Sequence, residues 1–95
     1  MLKGGVSMSS KIITYDLCAP GRNYDKLIEH LKTYPSWARV TESTWFVSSS
    51  DSCVTLRDKL KLYIDSNDRL FVAELTGVAA WLNVRYNSDY LKNNL

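Results

Sequence analysis

The order of hydrophobic periods along the chain is the strongest constraint on its fold. Lys11 to Leu17 alternates with the two-residue period of a strand, and from Tyr24 apolar residues recur at helical spacing until Pro35 ends the run. Asp51 or Ser52 is a candidate cap for the second helix. The predicted segments, in chain order, are strand 11–17, helix 24–34, strands 37–40 and 43–48, helix 53–64 and strand 69–75.

This strand and helix order predicts an α+β fold with two layers. Right-handed crossovers place both helices on one face of an antiparallel sheet. The expected architecture is therefore a ferredoxin-like β-α-β-β-α-β sandwich over residues 11–77. Residues 1–10 are expected to be a disordered extension. We hypothesise that native translation starts at Met8, which mass spectrometry of the native product would test.

The second face of the predicted sheet needs a cover. The first and third strands carry large apolar side chains on both faces, which a solvated face would not show. The C-terminal extension, residues 78–95, contains Trp81 and is expected to pack on the core or on a partner chain. A homodimer is predicted, since two-fold pairing of one patch is the commonest way to bury it.

Composition excludes several classes of protein. The 95 residues carry a net charge of +2 with scattered basic residues, so charge alone does not indicate a nucleic-acid binder. Cys18 and Cys53 lack metal or disulfide spacing, which favours a reducing cytoplasm. The single histidine, His30, lies outside the apolar stripe of its helix and is expected to be solvated. No apolar run approaches the roughly 18 residues that span a bilayer, so no membrane partner is predicted.

Asp16 is the main chemical candidate because it ends a predicted buried strand, where a carboxylate needs a partner. Two copies of Asp16 at a symmetric interface would suit Mg²⁺, which takes one or two carboxylates. Arg22 is predicted to neutralise a scissile phosphate, and Trp37 and Arg39 to contact nucleic acid or a protein partner. The alternative is structural, with Asp16 capping the next loop or pairing with Arg22.

Other candidate groups are better explained by structure than by chemistry. The aromatic residues Tyr15, Trp45 and Phe46 have the alternation of core residues in central strands, although such rings can also stack on bases. The acidic turn at residues 65–68 lacks the spacing of a calcium loop. We expect it to be a turn between the second helix and the last strand.

Short motifs resemble a known family across residues 11–77. They are Tyr15-Asp16-Leu17, Ser43-Thr44-Trp45-Phe46, Leu56-Arg57-Asp58 and Asp68-Arg69-Leu70-Phe71-Val72. They are similar to the SinR-like small proteins and, more distantly, to the second CRISPR-associated adaptation protein and the VapD ribonucleases. The resemblance implies a ferredoxin-like homodimer in which an aspartate ending the first strand, here Asp16, is duplicated across the axis and holds a divalent metal.

Two functions follow from these expectations. The first is a homodimeric nucleic-acid-associated protein acting as a Mg²⁺-dependent endonuclease on RNA or DNA. The second is a non-catalytic module that binds nucleic acid or protein, such as a scaffold or an antagonist from a phage or mobile element. The resemblance supports both, because several relatives are scaffolds that do not need the carboxylate.

Overall fold

The computed structural model describes residues 8–18, 24–85 and 88–95. Strands and helices follow one another in the predicted order, with an additional helix near the C-terminus. The elements are β1 (Ser9–Asp16), α1 (Asp25–Leu31), β2 (Trp37–Thr41), β3 (Thr44–Ser49), α2 (Cys53–Leu60), a 3₁₀ turn (Lys61–Tyr63), β4 (Arg69–Glu74) and α3 (Ser88–Asn93).

The strands form a four-stranded antiparallel sheet in the order β2-β3-β1-β4. β1 therefore lies inside the sheet, paired with β3 on one side and β4 on the other. The pairing of β2 with β3 is irregular between Arg39 and Thr41, where a bulge places Val40. The fold is α+β, and its sheet and helices are compatible with a two-layer sandwich.

Both helices α1 and α2 contribute to the main core on one face of the sheet. Trp45 at the centre of this core is 0% exposed, and its indole nitrogen donates to the Tyr15 hydroxyl at 3.0 Å. Burial of Tyr15 and Trp45 confirms that these rings pack in the core. The buried members of the cluster are Ile13, Tyr15, Leu27, Leu31, Trp45, Val47 and Leu60.

The C-terminal segment builds a second core on the opposite face. Leu91 on α3 is 1% exposed and packs with Phe46 and the β2 residues Ala38 and Val40. The amide of Arg85 also donates to the Val40 carbonyl at 2.9 Å. The described residues of the tail, 75–85 and 88–95, thus cover the β2 and β3 side of this face, as one of the two expected covers.

Lys11 is buried at one end of the sheet, on the same face as Ile13. It is only 2% exposed, and its ammonium donates to the Ser49 carbonyl at 3.1 Å and lies 3.6 Å from a Glu74 carboxylate oxygen. A contact with the Ser9 hydroxyl completes its surroundings. The buried charge is thus satisfied by groups from three strands.

Several element boundaries differ from the predicted ones. β1 begins at Ser9, so Ser9 and Ser10 belong to the sheet and not to a disordered extension. Helix α1 ends at Leu31 and α2 at Leu60, each before its predicted end. The Ser52 hydroxyl accepts from the Thr55 amide at 3.1 Å, which confirms the predicted cap of α2.

No helix was predicted after Gly77, but α3 forms there because Leu91 anchors it to the sheet. Within the ranges that the structure describes, no helix is long and apolar enough to cross a membrane. The hypothesised start at Met8 concerns residues 1–7, which lie outside those ranges.

Candidate functional site

Asp16 and Arg69 form an ion pair at one corner of the sheet. They are direct cross-strand partners of β1 and β4, and the Arg69 guanidinium lies 3.0 Å from a carboxylate oxygen of Asp16. Their side chains are 67% and 75% exposed, respectively. An ion pair this exposed contributes only about 0–1 kcal/mol to stability, so both groups are available to a ligand.

Phe71 lies beside this pair on the same face of the sheet. It follows Arg69 by two residues, which places both side chains on one face, and it is cross-strand from Thr14. Its ring is 62% exposed, although it belongs to a strand. We call Asp16, Arg69 and Phe71 the corner site. Together with Thr14 they border a shallow cavity of about 170 Å³.

The corner site offers one carboxylate for a metal. Within the described ranges, no group of three or more His, Cys, Asp or Glu side chains could hold a metal ion. Asp16 has the oxygen chemistry that Mg²⁺ prefers, but one of its oxygens is already engaged by Arg69. Asp16 is the carboxylate of the corner site, so placing two such carboxylates on one metal requires a second chain.

The backbone beyond Asp16 is tied to the turn before β4. The Asp68 carboxylate accepts from the Cys18 amide at 2.6 Å, from the Tyr24 hydroxyl at 2.8 Å and from the Asp65 amide at 2.7 Å. Asp68 thus fixes the chain on both sides of the corner site. The acidic turn is a structural turn, as expected, because its carboxylates accept hydrogen bonds from the protein itself.

Trp37 and Arg39, the predicted site residues that the structure describes besides Asp16, are not brought to it. Arg22 lies outside the described residues. Arg39 donates to the Glu42 carbonyl at 3.0 and 2.7 Å and lies over the Trp45 ring. Trp37 is partly buried, with its ring centroid 5.5 Å from that of Trp45. These two side chains are on the helix-covered face, whereas Asp16 is on the opposite face.

His30 is partly buried, whereas the sequence predicted a solvated side chain. Its ring stacks on Tyr63 with centroids 4.8 Å apart, and Nε2 is 3.0 Å from the Tyr34 hydroxyl. Desolvation by burial, with a smaller effect of Lys59, lowers the pKa of His30. Burial, with the charge of Asp51, raises the pKa of Tyr34 to about 12. The apolar stripe of α1 did not predict this burial, because His30 is covered by Tyr34 and Tyr63 at the side of the main core.

Sequence reasoning also missed Arg69 and Phe71. Both lie in a run that reads as an ordinary strand, and alternation does not tell an inner strand from an outer one. The missing information was the strand order, which places β4 at the edge of the sheet. The sequence signal for this site was the pair Asp68-Arg69, two charged residues directly before an apolar run.

No family model, curated protein or solved structure matches this sequence. The geometry of the corner site is therefore the basis for the function proposed below. The resemblance to the SinR-like proteins remains an expectation from short motifs.

Proposed function

We propose that this chain is a nucleic-acid-associated protein that binds a single strand at the corner site. The observation that carries the proposal is the juxtaposition of an exposed guanidinium and an exposed aromatic ring on one sheet face. Arg69 supplies a cation for a phosphate, and Phe71 supplies a surface on which a base can stack. Exposed aromatic rings on sheets bind single strands in this way in other folds.

Binding should depend on both groups in different ways. We expect Phe71→Ala to weaken binding of a labelled single-stranded oligonucleotide by about 1–3 kcal/mol, the contribution of one stacked base. Arg69→Gln should reduce the slope of log affinity against log salt by about 0.7, the value for one phosphate contact on a single strand. Fluorescence anisotropy at several salt concentrations measures both quantities.

The ion pair of Asp51 and Lys59, 2.7 Å apart, provides matched controls at α2. Lys59→Gln removes the same charge as Arg69→Gln but should leave the salt slope unchanged. If both substitutions lowered the slope equally, binding would be a general effect of charge and the corner site would not be the binding site.

We further propose Mg²⁺-assisted phosphodiester hydrolysis as the activity of this site, with Asp16 as the metal ligand. Bound Mg²⁺ would polarise a phosphoryl oxygen and lower the pKa of an attacking water. The chain's own residues would hold the metal at Asp16 and orient the phosphate at Arg69. What supports this proposal is the exposure of Asp16 beside a group that binds phosphate.

Cleavage of labelled RNA and single-stranded DNA tests the catalytic proposal. Cleavage should require Mg²⁺, stop in EDTA and disappear in Asp16→Asn, while the control Asp51→Asn retains it. Equal cleavage by Asp16→Asn and the native protein would exclude Asp16 as the ligand.

The second candidate function is the non-catalytic module. Arg69 already balances the charge of Asp16, and the described residues hold no group of three metal-ligating side chains, which favours binding without hydrolysis. This candidate predicts that Asp16→Asn keeps or improves nucleic-acid affinity, because one negative charge near the phosphate is removed. A native protein that binds but never cleaves would select it.

We also propose that the architecture is ferredoxin-like and that the protein is related to the SinR-like family. Support comes from the β-α-β-β-α-β order of the first six strands and helices and from the antiparallel sheet with β1 inside. An experimental structure with α1 and α2 on different faces of the sheet would contradict the proposal.

A further inference from the structure

The two outer strands of the sheet differ in what contacts their outer edges. β2 has a backbone contact with the tail, because the Arg85 amide donates to the Val40 carbonyl at 2.9 Å. β4 is the other outer strand, and in the described part of the chain no strand pairs with its free side. The Leu75 amide donates to the Ser10 carbonyl on β1, so by alternation the backbone groups of Leu70, Val72 and Glu74 point outwards.

The free edge of β4 is apolar at its centre. Residues 70–73 are Leu-Phe-Val-Ala, with no proline or lysine to block pairing. Exposed apolar side chains flank the edge in both layers, since Phe71 is 62% exposed on the sheet face and Val54 is 58% exposed on α2. An edge of this kind is a site for strand pairing.

A cavity lined by both cations and carboxylates lies between α2 and this edge. It has a volume of about 540 Å³, and Arg57, Lys61 and Leu70 are among its lining residues. Arg57 pairs only with its neighbour Asp58, and Lys61 makes no ion pair with any described residue. The lining carboxylates, Asp65 and Asp68, accept backbone hydrogen bonds. Among the described residues of this lining, Lys61 is therefore the cation that an incoming carboxylate could pair with.

We propose that two copies of the chain pair antiparallel along β4, with a two-fold axis at Val72. In this register Leu70 is opposite Glu74 of the partner copy, whose carboxylate then reaches the cavity lined by Arg57 and Lys61. Phe71 is opposite Ala73 of the partner copy, so that a large exposed ring covers a small side chain. The Phe71–Ala73 contact is complementary in size, and Lys61 is complementary in charge to Glu74, which is 58% exposed beside Lys11 of its own chain. Each contact occurs twice, as a two-fold interface requires.

This pairing deepens the proposed function, on which the following consequence rests. A two-fold axis perpendicular to the sheet leaves both corner sites on one continuous face. From strand spacing and rise, the two Asp16 carboxylates lie about 25 Å apart. They cannot share one metal ion, in contrast to the expectation from the family resemblance. The dimer presents two separate corner sites to one nucleic acid.

Register-specific cross-linking tests the pairing. In a Cys18→Ser, Cys53→Ser background, Phe71→Cys protein is mixed with Ala73→Cys protein under mild oxidation. We expect a cross-linked heterodimer, because opposed residues in such a pair lie about 4.5 Å apart at Cα, within the reach of a disulfide. Each variant alone should not cross-link, since its own two copies lie out of register. Equal cross-linking within a single variant, or none in the mixture, would overturn the register.

Light scattering after size-exclusion chromatography tests the dimer itself. The native chain should have the mass of two chains. Val72→Pro should be monomeric with an unchanged circular dichroism spectrum, because the lost N–H points away from β1. As a second variant, Lys61→Glu should weaken the dimer roughly tenfold by facing Glu74 of the partner copy, about 1.4 kcal/mol, whereas Lys59→Glu should not.

The failures of the two proposals are distinguishable. A monomeric native chain overturns the pairing, while binding that depends on Arg69 and Phe71 would still stand. A dimer with the expected cross-link but no affinity for single strands overturns the corner site and leaves the pairing intact.

Discussion

The two faces of one sheet are covered by different means. Trp45 and Phe46 are consecutive residues of β3 that point to opposite faces. Trp45 packs under helices that belong to the β-α-β-β-α-β order, whereas Phe46 is covered by a tail that follows the last strand. The helix-covered core therefore follows from the β-α-β-β-α-β order itself. The tail-covered core, in contrast, requires the additional segment after β4.

Truncating the two neighbours should give the largest difference. We expect Trp45→Ala to lower the free energy of unfolding by about 3–5 kcal/mol, since the ring is 0% exposed and bonded to the Tyr15 hydroxyl. Phe46→Ala should cost less, about 3 kcal/mol, at the lower end of the same range because the tail can move towards the cavity. Urea unfolding measures both free energies, provided that their dependence on urea concentration is the same in the two variants. A larger loss for Phe46→Ala would invert the comparison.

Removing the tail's anchor should reveal how firmly it belongs to the fold. Leu91 is 1% exposed, and we expect Leu91→Ala to cost about 2–3 kcal/mol, at the lower end for a buried leucine because α3 is short. Leu82→Ala is the matched control, since this leucine of the same tail is 84% exposed and should have no effect. Identical unfolding midpoints for the two variants would mean that the second core does not stabilise the protein.

Substitution of Lys11 tests whether a buried charge stabilises this end of the helix-covered face. Lys11→Met keeps most of the volume but leaves the Ser49 carbonyl without its donor, and should cost about 1–3 kcal/mol. Glu74→Gln should cost less, because that carboxylate is 58% exposed. Thermal unfolding of both variants shows which one loses more stability. An equal or greater loss for Glu74→Gln would contradict this prediction.

The smallest expected effect is a pH dependence on the helix side. The pKa of His30 is lowered by desolvation and then by Lys59, so the unfolded chain binds the proton more strongly. Stability contributed by neutral His30 is therefore complete above pH about 6.5 and falls as the pH drops towards the lowered pKa.

The pH profile of unfolding checks this effect. His30→Gln should have a flatter profile than the native protein between neutral pH and pH about 5. Parallel profiles would show that His30 does not contribute.

Element order and core positions could be predicted from the sequence, because periodicity reports which side chains share a face. Residues 11–16, 44–48 and 69–74 were placed in strands, and Leu27, Leu31 and Leu60 fall on the predicted apolar stripes. The helix α3 could not be predicted, since its short segment has little apolar pattern and is held by contacts distant in sequence, those of Leu91 with β2 and of Tyr90 with Ser36.

The candidate site was predictable only in part. Asp16 was selected because it ends β1, and the structure places it there, but exposed and not desolvated. Its partner Arg69 is 53 residues away in sequence, and no local pattern reports a contact of that range. Arg39 and Trp37 lie on the helix-covered face, where both contact the Trp45 ring, and their contact with nucleic acid or a partner stays a prediction.

The inside position of β1 has a consequence for synthesis at the ribosome. Both neighbours of this strand, β3 and β4, are made after it, and the pairing with β4 joins residues more than fifty positions apart at Asp16 and Arg69. The first strand can pair with β3 earlier but must wait for β4 until more than fifty further residues have been made. A sheet closed by such distant contacts has a high contact order, so folding should be slow.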